Sequence, residues 1–130
     1  MAKEHSERSL GGRERQIMDV IYQLGEASVG EVRERLANPP SYSSVRTMIR
    51  LLERKGLLKH RQEGARYVYW PVRSRESASR SALRHLLQTF FGGSAPDAVA
   101  AILDVSAETL GQQDLKRIKQ MIEQARKEGQ

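Results

Sequence analysis

The sequence predicts a mainly α-helical protein with a small β-hairpin, and two kinds of pattern support this fold class. Apolar residues recur at i, i+3, i+4 and i+7 in the first half of the chain, which is the period of an amphipathic helix. A segment rich in aromatic and β-branched residues then follows a glycine turn signal, which indicates paired strands. The 130 residues allow one compact domain with a modest appendage.

Two helices are expected before the first prolines. The run LGGRERQIMDVIYQLG predicts a helix over about residues 12–24, with Gly11 as its N-cap and Glu14 in its first turn. Ser28 and Glu31 have the spacing of a capping box and begin a short second helix. Asn38-Pro39-Pro40 ends that helix, because proline lacks an amide proton.

A third helix and a hairpin complete the predicted head. Ser41 or Ser43 caps the third helix, and Gly56 ends it. Its apolar stripe consists of Val45, Met48, Ile49 and Leu52. The turn signal Glu63-Gly64 then separates two strand-like segments that end at Pro71. Three helices with short connections and a hairpin together form a winged helix-turn-helix.

Three further helices are predicted over about residues 76–91, 95–104 and 112–128. They are too few and too short to bury a core of their own, so we expect their apolar faces to meet those of a second copy of the chain. The residues predicted to form this dimer interface are Leu83, Leu86, Leu87, Phe90, Leu115, Ile118 and Ile122.

The positive charge is confined to one half of the chain. Residues 1–75 carry the whole net charge of +6, whereas residues 76–130 hold equal numbers of acidic and basic side chains. Within the basic half, residues 46–75 have nine basic and two acidic side chains. Such a field attracts a polyanion, and double-stranded DNA is the partner expected for this fold. A basic face that serves only solubility is the alternative.

The third helix carries its basic residues on the face opposite to its apolar stripe. In a helix-turn-helix this helix lies in the major groove, where Arg bonds to guanine and Ser or Thr contacts several bases. The predicted base-contacting residues are Ser43, Arg46, Thr47 and Arg50. The residues predicted to contact the DNA backbone are Arg54, Lys55, Arg61 and Arg66, of which the last two lie in the wing. A solvated charged face, with Glu53 paired to an arginine, is the alternative.

The wing aromatics also have two interpretations. The segment from Tyr67 to Trp70 could stack on the bases of single-stranded nucleic acid, but aromatics beside three helices more often belong to a core. We therefore expect Tyr69 and Trp70 in the core. The predicted organisation is a disordered tail over residues 1–9, a winged-helix DNA-binding domain over 10–75 and a three-helix dimerisation region over 76–130.

The sequence resembles the penicillinase and methicillin-resistance repressor family, BlaI/MecI, from about residue 10 to residue 125. The similar segments are LGGRERQIMDVIYQLG, SYSSVRTMIRLLERKGLL, EGARYVYWPV and FFGGS. The resemblance implies a homodimeric repressor whose winged-helix heads bind a palindromic operator and whose C-terminal helices interlock. It also implies control of genes for β-lactam resistance or a related stress, together with a membrane sensor protease.

The resemblance also points to a proteolysis region in the fifth helix. Members of the family are cut there at an Asn-Phe bond, whereas this chain has Ala101-Ile102 at the matching place. A related copper-responsive branch carries a C-terminal cysteine motif, which a chain without cysteine cannot supply. This chain therefore departs from the family at the residues of the implied cleavage site.

Several other classes of function find little support. His5, His60 and His85 are isolated from one another and from carboxylate clusters, so we expect no enzyme activity, no metal site and no cofactor. No apolar run is long enough for a membrane span, and the first residues lack the apolar core of a signal peptide, so a cytoplasmic location is expected. Two alternatives stay open: a winged-helix module for protein contacts, and a repressor that responds to a small ligand.

Overall fold

The computed structural model describes residues 10–129, which form six helices and three short strands. The helices are α1 (Gly12–Leu24), α2 (Val29–Arg35), α3 (Tyr42–Arg54), α4 (Arg75–Phe91), α5 (Ala95–Val105) and α6 (Gln112–Glu128). The strands are β1 (Ala27–Ser28), β2 (Leu58–Glu63) and β3 (Arg66–Pro71). The predicted disordered tail over residues 1–9 lies outside the described residues.

The helix starts follow the predicted capping residues. Gly11 is the N-cap of α1. In α2, the Ser28 hydroxyl accepts from the amide of Glu31 at 3.2 Å and the Glu31 carboxylate accepts from the amide of Ser28 at 2.9 Å, which confirms the capping box. For α3 the structure selects Ser41, whose hydroxyl accepts from the amide of Ser44 at 3.2 Å.

The strands form one antiparallel sheet in the order β1-β3-β2. β2 and β3 are the predicted hairpin, but Glu63 is paired with Arg66, so the two turn residues are Gly64 and Ala65. Gly64 has a φ of +63°, which a type II′ hairpin turn requires at its first turn position. β1 was not predicted, because a two-residue strand shows no alternation.

One hydrophobic core connects α1, α2 and α3 to the sheet. The apolar stripes of these three helices pack against one another in this core. Their residues that are inaccessible to solvent are Ile17, Ile21, Val32, Val45, Ile49 and Leu52. Tyr69 of β3 joins this core, as predicted. The prediction was wrong for Trp70, which is only half-buried. The next residue of a strand points to the opposite face of the sheet, so Trp70 faces Arg61, whose guanidinium carbon lies 5.7 Å from the ring centroid.

The chain divides into two compact units, the first ending at Ala82 and the second beginning at Leu83. The boundary lies inside α4, and the predicted division at residue 75 stays a prediction. In the described part of the second unit, Ala98 is the only buried apolar residue. In residues 10–129, no single helix is both long and apolar enough to cross a membrane; only α4 and α5 together reach that length and composition, with a 95° bend between them.

Candidate nucleic-acid interface

The outward face of α3 carries the residues that the sequence predicts as base readers. Ser43, Arg46, Thr47 and Arg50 are all exposed. The Thr47 hydroxyl donates to the carbonyl oxygen of Ser43 at 2.9 Å, which leaves its oxygen free to accept. Arg46 has no ion-pair partner within residues 10–129, so its guanidinium is available to a ligand. The face therefore presents donors and acceptors in the first three turns of the helix.

A groove runs between α3, the wing and the start of α2. Its volume is about 540 Å³. Its longest side chains belong to Tyr42, Arg46, Arg50, Gln62, Arg66 and Tyr67. The charged residues that line it are all arginines, and no acidic residue is among them. This combination of positive charge with hydrogen-bonding and aromatic side chains suits a polyanion with bases.

The sheet register decides which wing residues face this groove. Residues that are paired across antiparallel strands share a face of the sheet. The pairs His60–Tyr69 and Gln62–Tyr67 lie on the face towards α3, whereas Arg61–Val68 and Glu63–Arg66 lie on the other face. The wing therefore presents a glutamine and a tyrosine to the groove, while Arg66, next to the turn, reaches its edge.

An ion pair and a ring contact connect the wing to α3. His60 Nδ1 of β2 lies 2.5 Å from Glu53 Oε2 of α3, so Glu53 pairs with a histidine rather than with an arginine. The His60 ring is stacked on Tyr67 with a centroid distance of 4.6 Å. Burial, followed by the Glu53 carboxylate, raises the pKa of Tyr69, and the neighbouring Arg50 opposes that shift. These contacts hold the wing against α3.

The outer face of the wing carries an ion-pair network that we call the outer-face network: Glu26, Glu31, Arg61, Glu63 and Arg66. Arg61 binds both carboxylate oxygens of Glu26, at 3.1 and 2.6 Å, and its Nε donates to Glu63 at 2.7 Å. Arg66 lies 3.5 Å from Glu31 and 3.5 Å from Glu63. The hydrogen bond from Arg61 lowers the pKa of Glu26, and the two carboxylates raise the pKa of Arg61. The guanidinium groups of Arg61 and Arg66, which were predicted to contact phosphate, are thus paired with carboxylates.

The two basic residues at the end of α3 differ in their surroundings. Arg54 is exposed and has no ion-pair partner within the described residues. Lys55 Nζ lies 3.1 Å from Glu14 Oε2 of α1, and only 31% of its side chain is exposed. Lys55 therefore connects α3 to α1 in this structure.

Three of the long side chains that line the groove were not predicted as site residues. Tyr42 precedes Arg46 by four positions on α3, so helical spacing alone places it on the same face. Gln62 and Tyr67 follow from strand alternation once the register of the hairpin is known. The signal for Tyr42 was present in the sequence, whereas the signal for the other two depended on the turn residues.

The second unit exposes most of the residues predicted for the dimer interface. Leu83, Leu86, Phe90, Leu115 and Ile122 are 42–75% exposed, and Leu87 and Ile118 are half-buried. In the predicted proteolysis region, Ala101 is half-buried and Ile102 is 53% exposed. Both lie inside α5, between Ala95 and Val105.

Alternative sites are weaker than the groove. No three His, Cys, Asp or Glu side chains of residues 10–129 converge where they could hold a metal ion. A crevice of about 300 Å³ lies between α1 and the start of α4, lined by Met18, Asp19, Tyr22 and Ala82 among others. This volume is at the lower end for small-molecule sites, so the arginine-lined groove is the better candidate.

The comparison with known protein families agrees with the fold and the charged groove. Residues 10–124 match the model of the penicillinase repressor family. The chain belongs to this family. The family is one of transcriptional regulators.

Individual relatives are more distant. An uncharacterised 16.5 kDa protein of Latilactobacillus sakei is 26% identical over 109 residues, which are 82% of this chain and 73% of that protein. The solution structure of the DNA-binding domain of the repressor BlaI is 29% identical, covers 51% of this chain and 83% of its own, and has a TM-score of 0.46. A homodimeric winged helix-turn-helix DNA-binding domain from Mycobacterium bovis is 22% identical, covers 85% of this chain and 86% of its own, and has a TM-score of 0.48. Because these TM-scores are low, membership of the family rests on the sequence match.

Proposed function

We propose that the protein is a dimeric, sequence-specific DNA-binding repressor that places α3 in the major groove of a palindromic operator. The observation that carries the proposal is the groove between α3 and the wing, whose charged residues are all arginines. A helix of this kind reads base edges with the exposed residues of its first turns. The proposed base readers are Ser43, Arg46, Thr47 and Arg50.

The backbone contacts are part of the same proposal. Arg54 can reach a phosphate directly, because no carboxylate of the described residues holds it. Lys55, Arg61 and Arg66 can each contact a phosphate oxygen only by giving up a carboxylate partner. These contacts would position the head on the duplex without reading its sequence.

Dimerisation is proposed from the exposure of the second unit. Monomeric proteins rarely leave so many large apolar side chains accessible within about 50 residues. A second copy would cover Leu83, Leu86, Leu87, Phe90, Leu115, Ile118 and Ile122. Two heads related by a two-fold axis would then match the two halves of a palindrome.

Family membership supports regulation of β-lactam resistance or related stress genes, with release of the DNA by a membrane sensor protease. The proposed proteolysis region is Ala101-Ile102 in α5. Because this chain lacks the family's Asn-Phe pair there, incubation with a sensor protease of the family tests this part separately. If α5 stays intact while another signal releases the DNA completely, proteolysis is not the release mechanism.

Selection of bound sequences from random duplex DNA tests the function as a whole. We expect a two-fold symmetric motif. Arg46→Ala and Arg50→Ala should each cost about 1–3 kcal/mol of binding to that motif and relax the base preference at one position of each half-site. Arg80→Ala, which removes an exposed arginine of α4 outside the groove, is the matched control.

Two results would contradict the proposal. Failure of the folded protein to enrich any motif would indicate a module for protein contacts or non-specific binding. Equal losses for Arg46→Ala, Arg50→Ala and Arg80→Ala, without a change in base preference, would show that α3 contributes charge and not sequence reading.

A further inference from the structure

The outer-face network contains more negative than positive charge. Three carboxylates, those of Glu26, Glu31 and Glu63, surround two guanidinium groups. The groove between α3 and the wing has the opposite character, because its charged lining residues are Arg46 and Arg50 of α3 and Arg66 at the edge of the wing. The hairpin therefore lies between the positively charged groove and an outer face on which Glu26, Glu31 and Glu63 neutralise the two arginines.

Arg61 is the most firmly held member of the network. Its two terminal nitrogens bind the two oxygens of Glu26, its Nε binds Glu63, and its guanidinium lies over the ring of Trp70. A bidentate pair of this geometry is stronger and more specific than a single contact. Arg61 can therefore contact a phosphate only if the phosphate displaces a carboxylate.

Glu26 has no other role in the described structure that would explain its position. It is exposed, lies between α1 and β1, and within the described residues its hydrogen bonds and ion pair are with Arg61, 35 residues away. Glu31, in contrast, also closes the capping box of α2. Glu26 and Glu63 are thus the acidic residues whose main effect is on the wing arginines.

We propose that Glu26 and Glu63 act as intramolecular competitors of DNA phosphate for Arg61 and thereby limit the sequence-independent part of DNA binding. This inference rests on the proposed function, since it concerns the same surface. Phosphate contacts supply most non-specific affinity, whereas α3 reads base edges without involving Arg61. Holding Arg61 back shortens the residence of the protein on DNA that lacks an operator.

Glu26→Gln tests the competition with little risk to folding, because the side chain is exposed and the amide has the same shape. We expect random duplex and operator DNA both to be bound about threefold to tenfold more tightly at near-physiological salt, the size of one additional phosphate contact. The slope of log K against log salt should become steeper, by at most about 0.9, because Arg61 would no longer share its contacts between Glu26 and phosphate. Glu76→Gln, which removes an exposed acidic partner of Arg80 on α4, is the matched control for net charge.

A double-mutant cycle separates competition from a general change of charge. In an Arg61→Gln background, Glu26→Gln should leave both the affinity and the salt slope nearly unchanged. An equal gain with and without Arg61, or a gain for Glu76→Gln as large as that for Glu26→Gln, would overturn the proposal. If the unaltered protein binds its operator and Glu26→Gln changes nothing, only this inference fails. If the unaltered protein binds no duplex, the proposed function itself fails.

Discussion

The two units of the chain use similar amphipathic helices with opposite results. In the first unit the apolar stripes of α1 and α3 converge, and Ile17, Ile21 and Ile49 are completely inaccessible. In the second unit the stripes of α4 and α6 leave Phe90 75% and Ile122 53% exposed. The difference shows that an amphipathic pattern predicts a buried face but not which molecule buries it. The first unit supplies its own core, and we propose that the second obtains one from another copy.

The largest expected effect compares one isoleucine from each unit. Ile49→Ala should lower the free energy of unfolding by about 2–5 kcal/mol at any protein concentration, because it leaves a cavity in a closed core. Ile122→Ala should cost stability only at concentrations at which two copies associate. Denaturant unfolding over a wide range of protein concentrations measures both. A concentration-independent loss for Ile122→Ala, as large as that for Ile49→Ala, would break the comparison.

A charge placed in the proposed interface should separate the two copies. Ile122→Asp is expected to raise the dimer dissociation constant about a hundredfold, or about 3 kcal/mol, since an unpaired carboxylate would be buried between the copies. Gln120→Asp, on the other side of α6, is the control and should leave the dimer intact. Sedimentation equilibrium distinguishes the variants. If the unaltered protein is a monomer at micromolar concentration, the proposed interface does not exist.

A smaller effect is expected from two serine caps with the same geometry. Ser28 caps α2 in the first unit and Ser94 caps α5 in the second, and each hydroxyl accepts from a backbone amide at 3.2 Å. Ser28→Ala should lower the stability of the first unit by about 1 kcal/mol at every concentration. Ser94→Ala should instead destabilise the second unit, in an unfolding transition whose midpoint depends on protein concentration. Identical behaviour of the two variants in a dilution series of thermal melts would argue against separate sources of stability.

The smallest effect concerns pH. Hydrogen bonding to Arg61 lowers the pKa of Glu26 below its ordinary value of 4.5, and bonds to Ser28 lower that of Glu31. The stability that these groups contribute is therefore complete above pH 4.5 and is lost as the pH falls through their lowered pKa values. Melting temperatures of the first unit, followed from neutral pH into this acidic range, should decline less in Arg61→Gln. An unchanged pH profile in that variant would mean that the Arg61 pair adds no stability.

Much of the fold was predictable because its signals are local. Helical spacing predicted α3 and its buried stripe, and the S-x-x-E spacing predicted the capping box at Ser28. The positions of Tyr69 and Trp70 show the limit of such reasoning. Both are aromatic strand residues, yet only Tyr69 is in the core, because adjacent strand residues face opposite sides of the sheet.

The candidate site was predictable in part for the same reason. The exposure of Arg46 and Arg50 follows from the helical period of α3. The wing was harder, because the exact turn residues decide which side chains face the groove. A turn at Gly64-Ala65 puts Gln62 and Tyr67 on the groove face and Arg61 on the outer face.

The sequence by itself determined the order and approximate bounds of the six helices, the location of the positive charge in the first half, and membership of the penicillinase repressor family. Only the tertiary structure decided that Arg61 binds Glu26 across 35 positions of sequence and that the groove is free of carboxylates. Helical periodicity and capping depend on neighbours within one or two turns, so they can be predicted from the sequence alone. The partners of a charged side chain depend on sheet register and helix packing, which exist only once the chain has folded.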